Sequence, residues 1–197
     1  VVLLAAGLLA AFYGYRLLRV SLPLICAELG YALGAALWPW AGWTMLAIVP
    51  FLIVASGTTA LVRPRVAAVV ASGATWIFLG EFLAARLGLG GATLWLVAAL
   101  LGSVGTVLTL VSRDSMIVLL TSIHGAAWMI VGLVGLAASL LPALCTTFQN
   151  WADDQPLVMP VLLAMLVTTA YTCQINNLRG DLRVGPVAEE QGPRDSR

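Results

Sequence analysis

Residues 116–141 read MIVLLTSIHGAAWMIVGLVGLAASLL, twenty-six positions in which His124 is the one ionisable side chain. A membrane helix needs about 17–25 apolar residues, so this stretch is long enough to cross a bilayer by itself. It does not alternate with period two, which argues against a strand of a membrane barrel. Hydrocarbon leaves backbone N–H and C=O groups no other partners, so the helix remains. Six further apolar runs flank it: Val1–Tyr15, Val20–Trp38, Trp43–Val62, Val66–Ala85, Ala92–Val111 and Leu157–Asn176. Together they predict an all-α fold, a polytopic membrane bundle of about seven transmembrane helices over residues 1–177. Residues 178–197, rich in Gly, Pro and acids, read as a short polar cytoplasmic tail.

Composition points the same way. The chain is 61% hydrophobic and 10% charged, with a mean hydropathy of +0.99. Soluble domains are about 45–50% apolar and about 25% charged, so this chain lacks the charge to cover a soluble globule. It is also too apolar to be disordered. Ten arginines, no lysine and nine acids give a net charge of +1, with no basic domain for nucleic acid. Cys26, Cys145 and Cys173 have neither metal-ligand spacing nor a pairing pattern and read as free thiols, Cys145 in a loop. No cofactor or metal is expected. The first run, Val1–Tyr15, is about five residues short of a span. Either residues precede Val1, or the span runs to Val20 while Arg16 and Arg19 snorkel to the interface.

The breaks between runs are marked by turn residues. Arg63-Pro64-Arg65 divides the third from the fourth, Gly88-Leu89-Gly90-Gly91 the fourth from the fifth, and Arg113-Asp114 the fifth from the sixth. Trp38-Pro39-Trp40-Ala41-Gly42-Trp43 reads as a tight turn whose indoles suit the headgroup layer. Pro142 to Pro156, with Trp151, Asp153 and Asp154, is the longest connection. With seven spans, Arg16, Arg19, Arg63, Arg65, Arg113, Arg179 and Arg183 fall on one side and only Arg86 on the other. The arginine-rich side is cytoplasmic, which puts the N-terminus outside and the C-terminus inside.

The basic turns also recur. Arg19 precedes Gly30 by eleven residues, Arg63 precedes Gly73 by ten, and Arg113 precedes Gly125 by twelve. This spacing predicts three parallel helical hairpins plus one helix, not the inverted halves of many transporters.

Phe12-Tyr13-Gly14-Tyr15-Arg16-Leu17-Leu18-Arg19 resembles the Phe-Gly-Tyr-Arg signature of the transmembrane protein 198 family, which is also catalogued as a domain of unknown function. Leu61-Val62-Arg63 and Thr121-Ser122-Ile123-His124-Gly125-Ala126 continue the likeness, which runs from about Gly7 to Arg183. The resemblance implies seven spans, an outside N-terminus and three arginine turns. Tyr13 stands where that family usually has Phe, and His124 in a stretch that it usually keeps uncharged. Animal members are regarded as membrane scaffolds in Wnt signalling. That role does not carry over, because their long basic tail has no counterpart in this sequence.

Ionisable groups inside spans are the first functional candidates, since a charge at the bilayer centre costs at least about 2.5–3.5 kcal/mol. Glu81 lies near a span end, within reach of the interface. Glu28 and His124 are each the ninth residue of a span leaving the cytoplasmic side, about 13 Å deep at about 1.5 Å per residue. Ser72 takes the matching place in the second hairpin. Thr168 and Thr169 of the last span reach similar depth. Convergence of Glu28, Ser72, His124, Thr168 and Thr169 is the expectation. Such a cluster would serve as a proton or ion relay, as a polar clamp that fixes helix register beside Gly30 and Gly34, or as a contact with a partner subunit. Trp38, Trp40, Trp43 and Trp151 read as an aromatic belt, while Trp76, Trp95 and Trp128 lie on or near spans.

The reading drawn from these features is non-enzymatic. The chain is an accessory or scaffold subunit of a membrane assembly, in contact with the lipid bilayer and with other membrane subunits or copies of itself. The alternative is a small channel or transporter with an intramembrane Glu/His pathway. Polar residues leading from Glu28 to both surfaces would discriminate. Outward of Glu28 the span reads LGYALGAAL (Leu29–Leu37), which is nearly dry.

Overall fold

The computed structural model describes residues 1–41 and 45–183. Among these there are eight helices and no strand: α1 (Val2–Tyr13), α2 (Leu18–Ala41), α3 (Met45–Val62), α4 (Pro64–Arg86), α5 (Gly91–Val111), α6 (Arg113–Leu140), α7 (Pro142–Asp154) and α8 (Val158–Arg183). Five of them, α2, α4, α5, α6 and α8, are long and apolar enough to cross a membrane. The apolar helices α1 and α3 are shorter. At 12 residues, α1 extends only about 18 Å, against a hydrocarbon core of about 30 Å.

The breaks have local causes. Pro64 opens α4, where a missing N–H is harmless. Gly88 (φ +71°) and Gly91 (φ +59°) supply the left-handed backbone of the α4–α5 turn.

Four expectations change. The first apolar run does not continue as one helix to Val20: α1 ends at Tyr13 and α2 starts at Leu18. The Pro142–Pro156 connection, with Cys145, is not a loop but the amphipathic helix α7. Leu144, Phe148 and Trp151, at helical spacing, form its outer apolar stripe, while Cys145 and Ala152 are buried one face away. Its charged end had masked this periodicity. Trp38 to Ala41 continue α2, while Gly42 and Trp43 lie outside the described residues. Finally, α8 runs past Leu178 to Arg183, and 184–197 lie outside the described residues.

The closest-packed pairs are α2–α3, α4–α5 and α1–α6. Each pair meets at one of the three glycines that follow a basic turn. A Cβ on Gly30 would come within 2.7 Å of the Leu52 carbonyl in α3, and one on Gly73 would meet Thr106 in α5. One on Gly125 would collide with the backbone of Ala10 and Ala11 in α1. Small residues here let helix backbones approach closely. The partner across each basic turn is therefore not the tightly packed partner. A common core lies among α2, α4 and α6, where Ile25, Ala71, Ile117 and Leu120 pack together with Ala60 of α3. The outer faces stay apolar. Only 11% of the apolar window of α8 and 22% of that of α5 is buried within the chain, so lipid or another subunit must cover the rest.

Candidate functional site

The three central helices bring their polar side chains to one level. From α6, His124 Nδ1 lies within hydrogen-bond distance of Glu28 Oε2 of α2, at 2.9 Å. One helical turn further, Trp128 Nε1–H donates to the same oxygen across 3.0 Å. On the other side of the imidazole, Nε2 lies 2.9 Å from the Thr75 hydroxyl of α4. Thr75 in turn donates to the Ala71 carbonyl across 2.7 Å. His124 and Thr75 are buried, whereas the Glu28 side chain is 41% exposed.

The indole N–H only donates, so Trp128 is the donor to Glu28. The His124 ring joins a carboxyl group of α2 on one side to a hydroxyl of α4 on the other.

Sequence spacing located Glu28 and His124 but not the rest of the cluster. Ser72 turns away from His124 towards α5: its hydroxyl lies 2.7 Å from that of Thr109, and both reach the Gly105 carbonyl. Thr75, one turn on, takes the expected place of Ser72. Thr168 and Thr169 are exposed and bond the Ala164 and Met165 carbonyls of their own helix, so they correct the expectation of convergence. Glu81 sits outside the cluster in α4. The i+3 step from Ser72 to Thr75 and the i+4 step from His124 to Trp128 were available signals. Trp76 packs over Gly105, and Trp95 is exposed.

A second polar knot lies on another face of α6, and sequence reading missed it. Gln174 of α8 is 2% exposed. Its amide donates to the Ala11 carbonyl across 2.7 Å and to the Ser122 hydroxyl across 3.2 Å, and its oxygen accepts the Tyr15 N–H across 3.0 Å. Tyr15 lies at the α1–α2 break, where backbone groups lose their helical partners. Gln174 supplies them.

The basic turns differ in exposure. Arg16, Arg19, Arg63 and Arg65 are exposed, while Arg113 is half-buried and its Nε has no hydrogen-bond partner. At the end of α4, Arg86 meets Asp153 of α7 across 3.3 Å, which ties that helix to the bundle. Cys26, Cys145 and Cys173 are free thiols, and no group of metal-binding side chains occurs among the described residues.

Beside Glu28 lies a cavity of about 360 Å³, bounded by α2, α4, α6 and α8 and partly open to the outside of the bundle. Apart from Glu28, Thr75 and His124, its walls are apolar, with Phe78, Phe82, Ile130 and Leu163 among them.

The chain matches no protein-family model, no curated protein and no solved structure.

Proposed function

We propose that this chain is an integral membrane protein with seven crossings, α1–α6 and α8, and that it is an accessory or scaffold subunit of a membrane assembly. In this reading the Glu28–His124 pair is a clamp and not a conduit. The observation that carries it is closure of the polar networks. Glu28, His124, Trp128 and Thr75 bond among themselves and to one helix carbonyl. Ser72 with Thr109, and Gln174 with Ser122 and Tyr15, form separate knots. No hydrogen bond joins these knots among the described residues, and the space beside Glu28 is walled by apolar side chains. A conducting path needs polar groups leading towards both surfaces.

Other features support the same architecture. Helix α1 lies along the middle of α6, where Gly132 faces Leu4 and Gly125 faces Ala10 and Ala11. The positions of Gly30, Gly73 and Gly125 at three close helix contacts suit a threefold parallel repeat. The arginine turns suit a cytoplasmic C-terminus and an outside N-terminus. Helix α7, with its exposed Leu144 and Trp151, then rests on the outer membrane surface. The architecture and the motif around Tyr13-Gly14-Tyr15-Arg16 also fit the family resemblance.

Mild-detergent extraction from native membranes, followed by size separation and mass spectrometry, tests the role. A partner at fixed stoichiometry is expected. A lone chain that carries protons or ions across liposomes, with flux abolished by Glu28→Gln, would overturn it.

A further inference from the structure

We infer that the arginine-bearing end of the central helices binds the head group of an anionic phospholipid that carries more than one negative charge. Three turns meet there over one packed core. Leu22 of α2, Ala60 of α3, Ala67 of α4 and Ile117 of α6 belong to the same cluster. Arg19 stands three residues before Leu22, Arg63 and Arg65 lie between Ala60 and Ala67, and Arg113 precedes Ile117 by four. Four cations therefore crown one end of α2, α4 and α6, about one helical turn from that core. Arg19, Arg63 and Arg65 are exposed. None of the four forms an ion pair with a described residue. Arg113 is half-buried, and its Nε is shielded from solvent without a hydrogen-bond partner. A cation held partly out of water is unfavourable until an anion neutralises it.

The sequence supplies too little negative charge to do this. Asp114 is the one acid in the three turns, and it is exposed. At the end of α8, Arg179 and Arg183 outweigh Asp181. Residues 184–197 hold Glu189, Glu190 and Asp195 against Arg194 and Arg197, a net side-chain charge of −1. The first turns of α4 and α6 add unpaired backbone N–H groups, since neither N-cap side chain bonds back to them. Guanidinium groups pair phosphate oxygens bidentately, and arginine clusters at a membrane surface attract anionic lipid. The excess of positive charge matches a head group with two phosphates better than one with a single phosphate. The lipid is the source, and not a free phosphate, because its chains can lie along the apolar outer faces beside the turns. This inference rests on the seven-crossing part of the reading above, which sets this end at a membrane surface, and not on the accessory role.

Native mass spectrometry of the full chain in mild detergent tests the surface by titration with three lipids: neutral phosphatidylcholine, singly charged phosphatidylglycerol and doubly charged diphosphatidylglycerol. Diphosphatidylglycerol is expected to bind about five-fold or more tighter than phosphatidylglycerol, and phosphatidylcholine least. Arg19→Gln, Arg63→Gln, Arg65→Gln and Arg113→Gln should each weaken it about five-fold, as about 1 kcal/mol per arginine at the surface implies. Arg86→Gln, at the opposite end of α4, should leave it unchanged. Melting midpoints check that each variant is folded, and the exposed Arg63 and Arg65 positions serve if Arg113→Gln is not. Equal retention of the three lipids would overturn the proposal. So would binding that survives the arginine changes, or release by soluble glycerol phosphate at matched ionic strength, which would mark a site for free phosphate. Impermeant thiol labelling of Val62→Cys and Ser112→Cys in sealed vesicles, read against the parent, separates the two layers of the argument. Labelling from opposite sides would overturn the seven crossings and the lipid surface together. Labelling from one side without lipid preference would overturn the lipid surface alone.

Discussion

His124 Nδ1 and Glu28 Oε2 lie 2.9 Å apart although 96 positions separate the residues in the chain. The contact joins α6 to α2, and Thr75 on the far side of the ring extends it to α4. One imidazole thus ties the three central helices. The arrangement has a spectroscopic consequence. Nitrogen-resolved NMR of the histidine ring in lipid should show a hydrogen-bonded Nδ1 whose signal shifts in Glu28→Gln and a hydrogen-bonded Nε2 whose signal shifts in Thr75→Val. Ring signals that neither substitution moves would show that His124 does not join these helices.

The Gln174 knot should matter more to stability than the threonines picked out by sequence. Gln174→Leu leaves the Tyr15 N–H unpaired at the α1–α2 break, and it should cost about 1–3 kcal/mol. Thr168→Ala and Thr169→Ala remove only bonds to their own helix on an exposed face. They should fall within about 0.5 kcal/mol of the parent. Thermal unfolding of the three variants in one detergent separates these outcomes.

Two glycines of α6 should respond in opposite senses. A side chain on Gly125 meets the backbone of Ala10 and Ala11, so Gly125→Val should pry α1 from α6 and cost about 1–3 kcal/mol or more. Nothing lies within 4 Å of a Cβ on Gly135. Gly135→Ala should be neutral or stabilise by up to about 1 kcal/mol through helix propensity. Unfolding midpoints of the pair check the packing of α1 directly.

Charge neutralisation at the α4 end should be mild. Arg86 and Asp153 are 28% and 74% exposed, so Asp153→Asn should change stability by less than about 1 kcal/mol. Its readout is local: proteolysis of α7 should quicken while the remaining helices stay protected.

Much of this arrangement could be read from hydropathy alone. The all-helical fold followed from the long apolar runs, and the meeting of Glu28 with His124 from their matching positions along the helices. What hydropathy misses are features set by orientation. Ser72 and Thr75 lie one turn apart on α4, and only packing against α5 decides that Ser72 turns away. Gln174 was passed over because it stands among other polar residues at the end of a run, where burial leaves no mark in composition. Helix α7 was hidden because the whole segment is only weakly apolar, although one of its faces is strongly so. The tight pairs α2–α3, α4–α5 and α1–α6 were not legible either. The repeat drew attention to the basic turns, whereas the glycines halfway along the helices select partners across the opposite connections or, for α6, back to α1 at the start of the chain.

The central claim, that Glu28 and His124 act as one clamp, is tested most directly by a double-mutant cycle in lipid. Glu28→Gln and His124→Ala should each destabilise the bundle by about 1–3 kcal/mol. The double variant should cost less than their sum by about 1 kcal/mol or more, because either change alone already breaks the same contact. Strict additivity would show that the two residues contribute independently and would contradict the clamp.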